Sequence, residues 1–301
     1  MAEPFVAFRG EIAALTAAFL WAVSTVIFGK LGRHLIPSVL NFAKGCFAIA
    51  FILLTLWLQS NRPVGIDGNT MMLLLLSGAI GIGLGDTAYF AALNQLGPRR
   101  VLLMESLAPP IAAFLAGIFL GETLSLNTWA GIALTLTGVG WVISERVPAV
   151  LGDRPRSLQG IVFGLLAAMG QAIGAVLSRA ALAETAVDPL WSTLLRLAGG
   201  IAVLLGILLW RGRLNADFQP LRSLRLVAVI LVAAVLGTYL AIWLQQTALK
   251  YAATGIAQAL AATSPLFVLP IAALMGDRIS LRAILGVLVA LGGVWLLFGQ
   301  G

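Results

Sequence analysis

Residues 70–93 read TMMLLLLSGAIGIGLGDTAYFAAL, a proline-free apolar stretch whose single charged residue is Asp86. Crossing the hydrocarbon of a bilayer takes roughly 20 residues of helix, and this stretch has that length. Working outward, similar runs lie near 11–31, 36–58, 100–120, 126–144, 159–180, 189–210, 224–248, 252–275 and 280–298, bounded by charge, Pro or Gly and joined by short loops. Helices are the required form, because unpaired backbone groups cannot face lipid and the runs are too long and continuous for barrel strands. An all-α polytopic membrane protein with ten transmembrane helices is therefore expected.

Composition agrees with that expectation. The chain is 60% apolar and 10% charged, with a mean hydropathy of +1.01, whereas soluble domains are about a quarter charged. The first run is longer than a signal-peptide core and follows Glu3 and Arg9 rather than a basic segment, so it reads as a retained helix. The lone Cys46 can form no internal disulfide, and no Cys/His cluster has metal-ligand spacing, so no metal and no cofactor is expected. The net charge of +7 is scattered among loops instead of forming an aromatic-interleaved patch, which argues against nucleic acid.

The basic residues bear instead on orientation. Lys30, Arg33, Arg99, Arg100, Arg146, Arg154, Arg156, Arg211, Arg213, Arg222, Arg225, Arg278 and Arg282 follow odd-numbered runs, against Arg9, Arg62, Arg179 and Lys250 on the other side. Positive short loops stay cytoplasmic, so with ten crossings the count places both termini outside.

Self-comparison reveals a repeat. At a displacement of 156 residues Gly81 meets Gly237, Ala92-Leu93 meets Ala248-Leu249, and Pro109 meets Pro265. After a one-residue slip Gly121-Glu122 meets Gly276-Asp277, Gly131 meets Gly286 and Gly138-Val139 meets Gly293-Val294. Earlier positions align more loosely, with Gly10 facing Gly160, Trp21 facing Gln171 and Lys44 facing Arg196. Residues 1–150 and 151–301 thus form two five-helix halves. An odd number of crossings inverts the second half relative to the first, the architecture of many secondary transporters, whose sites lie at the repeat interface.

The stretches Ala248-Leu249-Lys250-Tyr251, Ser264-Pro265 and Leu120-Gly121-Glu122-Thr123-Leu124, with the Gly-rich ends of the fifth and tenth runs, resemble the drug/metabolite transporter superfamily, specifically its ten-helix EamA type. The resemblance covers nearly the whole chain. It implies a metabolite exporter of the bacterial inner membrane, similar to YddG-like aromatic amino-acid exporters, with helices 1, 3, 4, 6, 8 and 9 around a central cavity. Two features depart from the pattern. Such proteins commonly keep their termini cytoplasmic, and the embedded Glu of the small four-helix relatives has no counterpart, since Glu11 sits at the membrane edge.

Ionisable groups within the membrane demand an explanation, because inserting one costs roughly 2.5–3.5 kcal/mol. Asp86 shares a helical face with Tyr89, Phe90 and Leu93, and serves either a cavity wall or a bridge to Lys44. Glu105 serves either substrate contact or pairing with Arg99 or Arg100, and it shares with Asp86 the possible role of proton coupling. Lys44 and Arg196 read as structural pairing or snorkelling. Trp21, Ser24, Thr25 and Phe28 share a face of the first helix, fit for a zwitterion with a side chain or for close helix packing. Gln171, Thr238, Trp243, Gln245, Gln246, Gln258 and Ser264 complete the candidate cavity set, some of them serving as interhelical ties. Pro109, Pro110 and Pro265 are hinge candidates or static kinks.

The expected function is alternating-access export of amino acids or related small metabolites. The alternative is efflux of lipophilic drugs or transport of nucleotide-linked or phosphorylated solutes. No catalysis is expected, since His34, the sole histidine, lies in a loop with no nucleophile-base pair. The implied partners are a small-molecule substrate and membrane lipids, and one copy of the chain suffices.

Overall fold

The computed structural model describes residues 8–31, 35–60, 62–96, 98–144, 157–212, 217–274 and 280–298. Arg33, His34, Arg146, Arg154, Arg156, Arg213, Arg278 and the Gly276-Asp277 turn lie outside the described residues, as do the side chains of Lys30, Arg99 and Arg100. Every element among the described residues is helical. In chain order they are α1 (Arg9–Leu31), α2 (Pro37–Leu58), α3 (Gly68–Leu96), α4 in two pieces (Pro98–Glu105 and Ala108–Phe119), α5 (Leu126–Ser144), α6 (Leu158–Leu182), α7 (Pro189–Arg211), α8 (Leu224–Tyr251), α9 in two pieces (Thr254–Ala261 and Ser264–Leu274) and α10 (Leu281–Phe298). Among the described residues, eight helices are long and apolar enough to cross a membrane.

Local chemistry sets the ends. Pro37 opens α2, where its missing N–H is no loss. Asp67 caps α3 by accepting from the Thr70 amide at 2.8 Å. Hydrogen bonds from the Thr70 hydroxyl and then its amide hold the Asp67 carboxyl below the usual range. Ser157 caps α6, and Asp188 caps α7 ahead of Pro189.

Large apolar side chains point outward: Trp210 is 90% exposed, Leu126 84% and Trp57 75%. A water-soluble fold would bury these groups; in a bilayer they are the lipid-facing surface, with tryptophans near helix ends at the headgroup level. Inside, helices meet through small residues. A Cβ on Gly78 of α3 would stand 1.6 Å from the Arg196 carbonyl of α7, and one on Gly199 2.1 Å from the Leu75 carbonyl. Backbones touch there, and no side chain fits between them.

Two irregularities occur twice. A π-helical turn widens α3 at Ala79–Asp86 and α8 at Val235–Leu240. The helices α4 and α9 break at Ser106–Leu107 and Ala262–Thr263, so both features recur 156 residues apart. The breaks fall ahead of Pro109, Pro110 and Pro265, because a proline supplies no N–H to the carbonyl four residues earlier and its ring crowds that carbonyl. Each π turn leaves carbonyls for other donors. Asn41 of α2 donates to the Ile82 carbonyl at 2.9 Å, and Trp21 of α1 donates to the Gly237 carbonyl at 2.9 Å.

Candidate functional site

Asp86 ends the π turn of α3, and both of its oxygens are engaged. Oδ2 accepts from Lys44 Nζ of α2 at 2.8 Å, and Oδ1 accepts from Gln171 Nε2 of α6 at 2.9 Å. The side chains of Lys44 and Asp86 are 8% and 16% exposed. The ammonium also lies 5.2 Å from the centre of the Phe90 ring and 5.8 Å from that of Phe28, so aromatic faces supplement its counter-charge. Of the two readings of Asp86, the bridge to Lys44 is present in the geometry. Tyr89 lies edge-on to Phe90. Glu105, the last residue of the first piece of α4, is within electrostatic reach of Asp86 and Tyr89, and its Oε1 is buried without a hydrogen-bond partner.

The face of α1 turns toward α8. Trp21 is spent on the Gly237 carbonyl, and Ser24 is buried against the same glycine while its hydroxyl donates to the Trp21 carbonyl at 3.1 Å. Thr25 is half-buried. On α8, Trp243 stacks with Tyr239, which stacks in turn with Phe51 of α2. The Tyr239 hydroxyl shares a 2.8 Å hydrogen bond with Thr55. Thr238 is fully buried with its Oγ1 unpartnered.

Gln245 and Gln246 serve a different centre. Arg196 of α7, 1% exposed, donates through Nη1 to Gln246 Oε1 at 3.0 Å and to Gln245 Oε1 at 3.3 Å. Gln246 Nε2 then donates to Ser192 at 2.5 Å and Ser178 at 3.2 Å, and Ser178 meets Ser77 of α3 at 2.8 Å. Among the described residues no carboxylate lies within ion-pairing distance of Arg196. Snorkelling is thus corrected for both deep cations, which are buried and bonded within the protein. Gln258 is buried with Nε2 unpartnered, and Ser264 begins the second piece of α9.

A further cluster ties the α8–α9 corner to the α4–α5 connection and to α6. Arg179 Nε donates to Glu122 Oε1 at 2.6 Å, while its Nη1 donates to the carbonyls of Leu249 and Lys250. The other Glu122 oxygen accepts from the Thr254 amide, which opens α9, at 2.9 Å. The residue that opens α4 is Pro98, which has no amide hydrogen. Lys250 donates to the Val187 carbonyl, and Arg9 donates to the Tyr251 hydroxyl at 3.1 Å. Arg179 and Lys250, counted for orientation at the ends of their runs, stand in the last turns of α6 and α8, where they also satisfy protein carbonyls. Sequence reasoning missed the roles of Asn41, Ser77, Ser178, Ser192, Glu122 and Tyr239. Hydroxyl and amide residues in apolar runs were the signal for five of them, and the repeated Gly-acid pair was the signal for Glu122.

The model of the EamA-like transporter family matches this chain twice, over residues 8–144 and 158–299. The chain belongs to that family. EamA-like family members are transporters, not enzymes, and among the described residues no group of His, Cys, Asp or Glu could hold a metal ion. The EamA-like chain is 28% identical over 159 residues to an uncharacterized transporter of Archaeoglobus fulgidus, covering 53% of this chain and 54% of that one. It is 34% identical over 131 residues to a transporter of a Sinorhizobium species, covering 42% and 89%. It is 27% identical over 143 residues to a probable amino-acid metabolite efflux pump of Salmonella typhimurium, covering 44% and 48%. The matches thus span about half of the first and third of these relatives. A solved crystal structure superposes with a TM-score of 0.75 over 96% of each chain at 15% identity, a likeness of fold alone.

Proposed function

We propose that this chain is a carrier of small organic solutes, amino acids and related metabolites foremost, exporting them across a bacterial inner membrane by alternating access of two inverted five-helix halves, residues 1–150 and 151–301. The observation that carries the reading is the Lys44–Asp86–Gln171 centre, where a carboxylate of the first half takes donors from both halves beside aromatic rings. Transporters of inverted-repeat design place their sites at such a junction. The recurrence of π turns and helix breaks 156 residues apart supports the two halves. The Salmonella relative supports the substrate class. The bias of the basic loops favours periplasmic termini.

Trp21, Tyr89, Trp243 and Thr25 supply aromatic and hydroxyl wall, while Pro109, Pro110 and Pro265 sit beside breaks at which the pieces of α4 and α9 pivot. Phosphorylated or nucleotide-linked solutes are the weaker reading, because Lys44 is neutralised by Asp86 and Arg196 is a single buried cation with Nη1 held by two glutamines, so the two deep cations form no free cluster. The test is uptake of a panel of labelled amino acids into proteoliposomes, with and without an imposed pH gradient. Saturable, protein-dependent uptake is expected. Its absence from vesicles shown to contain folded protein overturns the reading.

A further inference from the structure

The two carboxylates near Tyr89 differ in what surrounds them. Asp86 has both oxygens satisfied and its charge cancelled by Lys44. Glu105 Oε1 is buried and accepts nothing. Glu105 is also the residue whose main-chain carbonyl would take its helical hydrogen bond from position 109, and that position is a proline with no N–H. Finally, Glu105 terminates the first piece of α4, so the negative end of that helix dipole points at the break. One residue therefore presents a carboxylate oxygen and a carbonyl lacking its helical donor, at the helix end where positive charge is stabilised.

A buried acceptor left empty is expensive, and an ionised one more so. What fits is a cation carrying several N–H donors. A bare divalent ion asks for six or more oxygens, and two are offered here. Tyr89, within electrostatic reach of Glu105 and edge-on to Phe90, supplies aromatic surface, which favours an organic cation over a hydrated one.

We propose that Glu105 is the binding point for the primary ammonium group of an organic solute, with Asp86 held as a fixed member of the wall. This deepens the carrier reading and rests on it for the route by which the solute arrives. It divides the labour between two groups that depth in the sequence leaves equivalent.

The experiment is binding to the full chain in lipid nanodiscs, followed by tryptophan fluorescence, with phenylalanine, phenethylamine and N-acetylphenylalanine as probes. Phenylalanine and phenethylamine are expected to bind about ten-fold or more tightly than the N-acetyl form, the size of one charge-assisted hydrogen bond. Glu105→Gln is expected to erase that preference, and Glu105→Asp to retain part of it; elution profile and melting temperature establish that each variant is folded. Equal binding of the amine and N-acetyl probes by the unmodified protein overturns the proposal without recourse to any variant. So does an amine preference that survives Glu105→Gln, or a Glu105→Gln effect confined to the pH dependence of uptake, which makes the carboxylate a proton site only. Binding that depends on Glu105 without uptake into proteoliposomes overturns the carrier reading and leaves the ammonium site standing; uptake that ignores the amine does the reverse.

Discussion

Lys44 of α2 and Arg196 of α7 face one another in the alignment of the two halves, and both are buried, yet they are accommodated by different chemistry. Lys44 meets a carboxylate and two aromatic faces. Arg196 meets two side-chain amides that pass the interaction on to Ser178 and Ser192. The comparison teaches that the depth of a charge does not determine its role. A compact ammonium with a single anion makes a bond that one substitution can undo. A guanidinium whose Nη1 is shared between two neutral amides, with Nε buried and unpartnered, ties itself into a network of several weaker bonds.

The comparison can be broken most severely at Lys44. Lys44→Met leaves Asp86 as an uncompensated buried charge, with an expected loss of about 3–5 kcal/mol, read as a lower melting temperature in detergent. Adding Asp86→Leu is expected to recover much of that loss, because the stranded charge goes too. If Lys44→Met melts like the unmodified protein, the pair contributes nothing. Arg196→Met is expected to cost less, about 1–3 kcal/mol, since it strands only neutral amide acceptors. Equal or larger destabilisation than at Lys44 would reverse the ranking.

A smaller effect is expected at Glu122. Glu122→Gln keeps a hydrogen-bond acceptor for Arg179 or the Thr254 amide but removes the charge, and a loss of about 1–2 kcal/mol follows for a pair only partly screened from water. Hydrogen exchange confined to the start of α9 would report it. The smallest effect belongs to Asp67. Its carboxyl is held below its ordinary value by Thr70, so its contribution is full above the ordinary carboxylate range and fades as the pH falls from about 4 through the lowered value. Asp67→Asn should flatten that slope in an acid titration of stability, and Thr70→Ala should do so in part.

Much of the fold was legible because a bilayer permits few answers. Long uncharged runs must be helices there, and their ends fall close to the charges and prolines that bound them. The depth of Asp86 and the alternative of a bridge to Lys44 were legible for the same reason. Gln171 could be named but not connected, since a displacement in the alignment says nothing of which helix it faces. Gln245 and Gln246 looked like cavity amides, and only the packing of α7 against α8 shows that Arg196 claims them. The π turns left no mark in the sequence, because a π turn is selected by what fills its opened carbonyls, here Asn41 and Trp21 on other helices. Lys250 falls just beyond the run 224–248 because a helix end is uncertain by a turn, and one turn decides whether a terminal cation is solvated or bound.

Pro98 opens α4 at the position where Thr254 opens α9. Thr254 gives its amide hydrogen to Glu122, and an imino acid has none to give. Two stretches that match one family model would ordinarily be fastened alike at equivalent positions. Here one atom is missing from one fastening, so whatever holds the face at Pro98 must do so through other groups. Under the alternation between two faces proposed above, that single hydrogen is a built-in source of imbalance, written in the covalent chain before any solute or gradient acts on it.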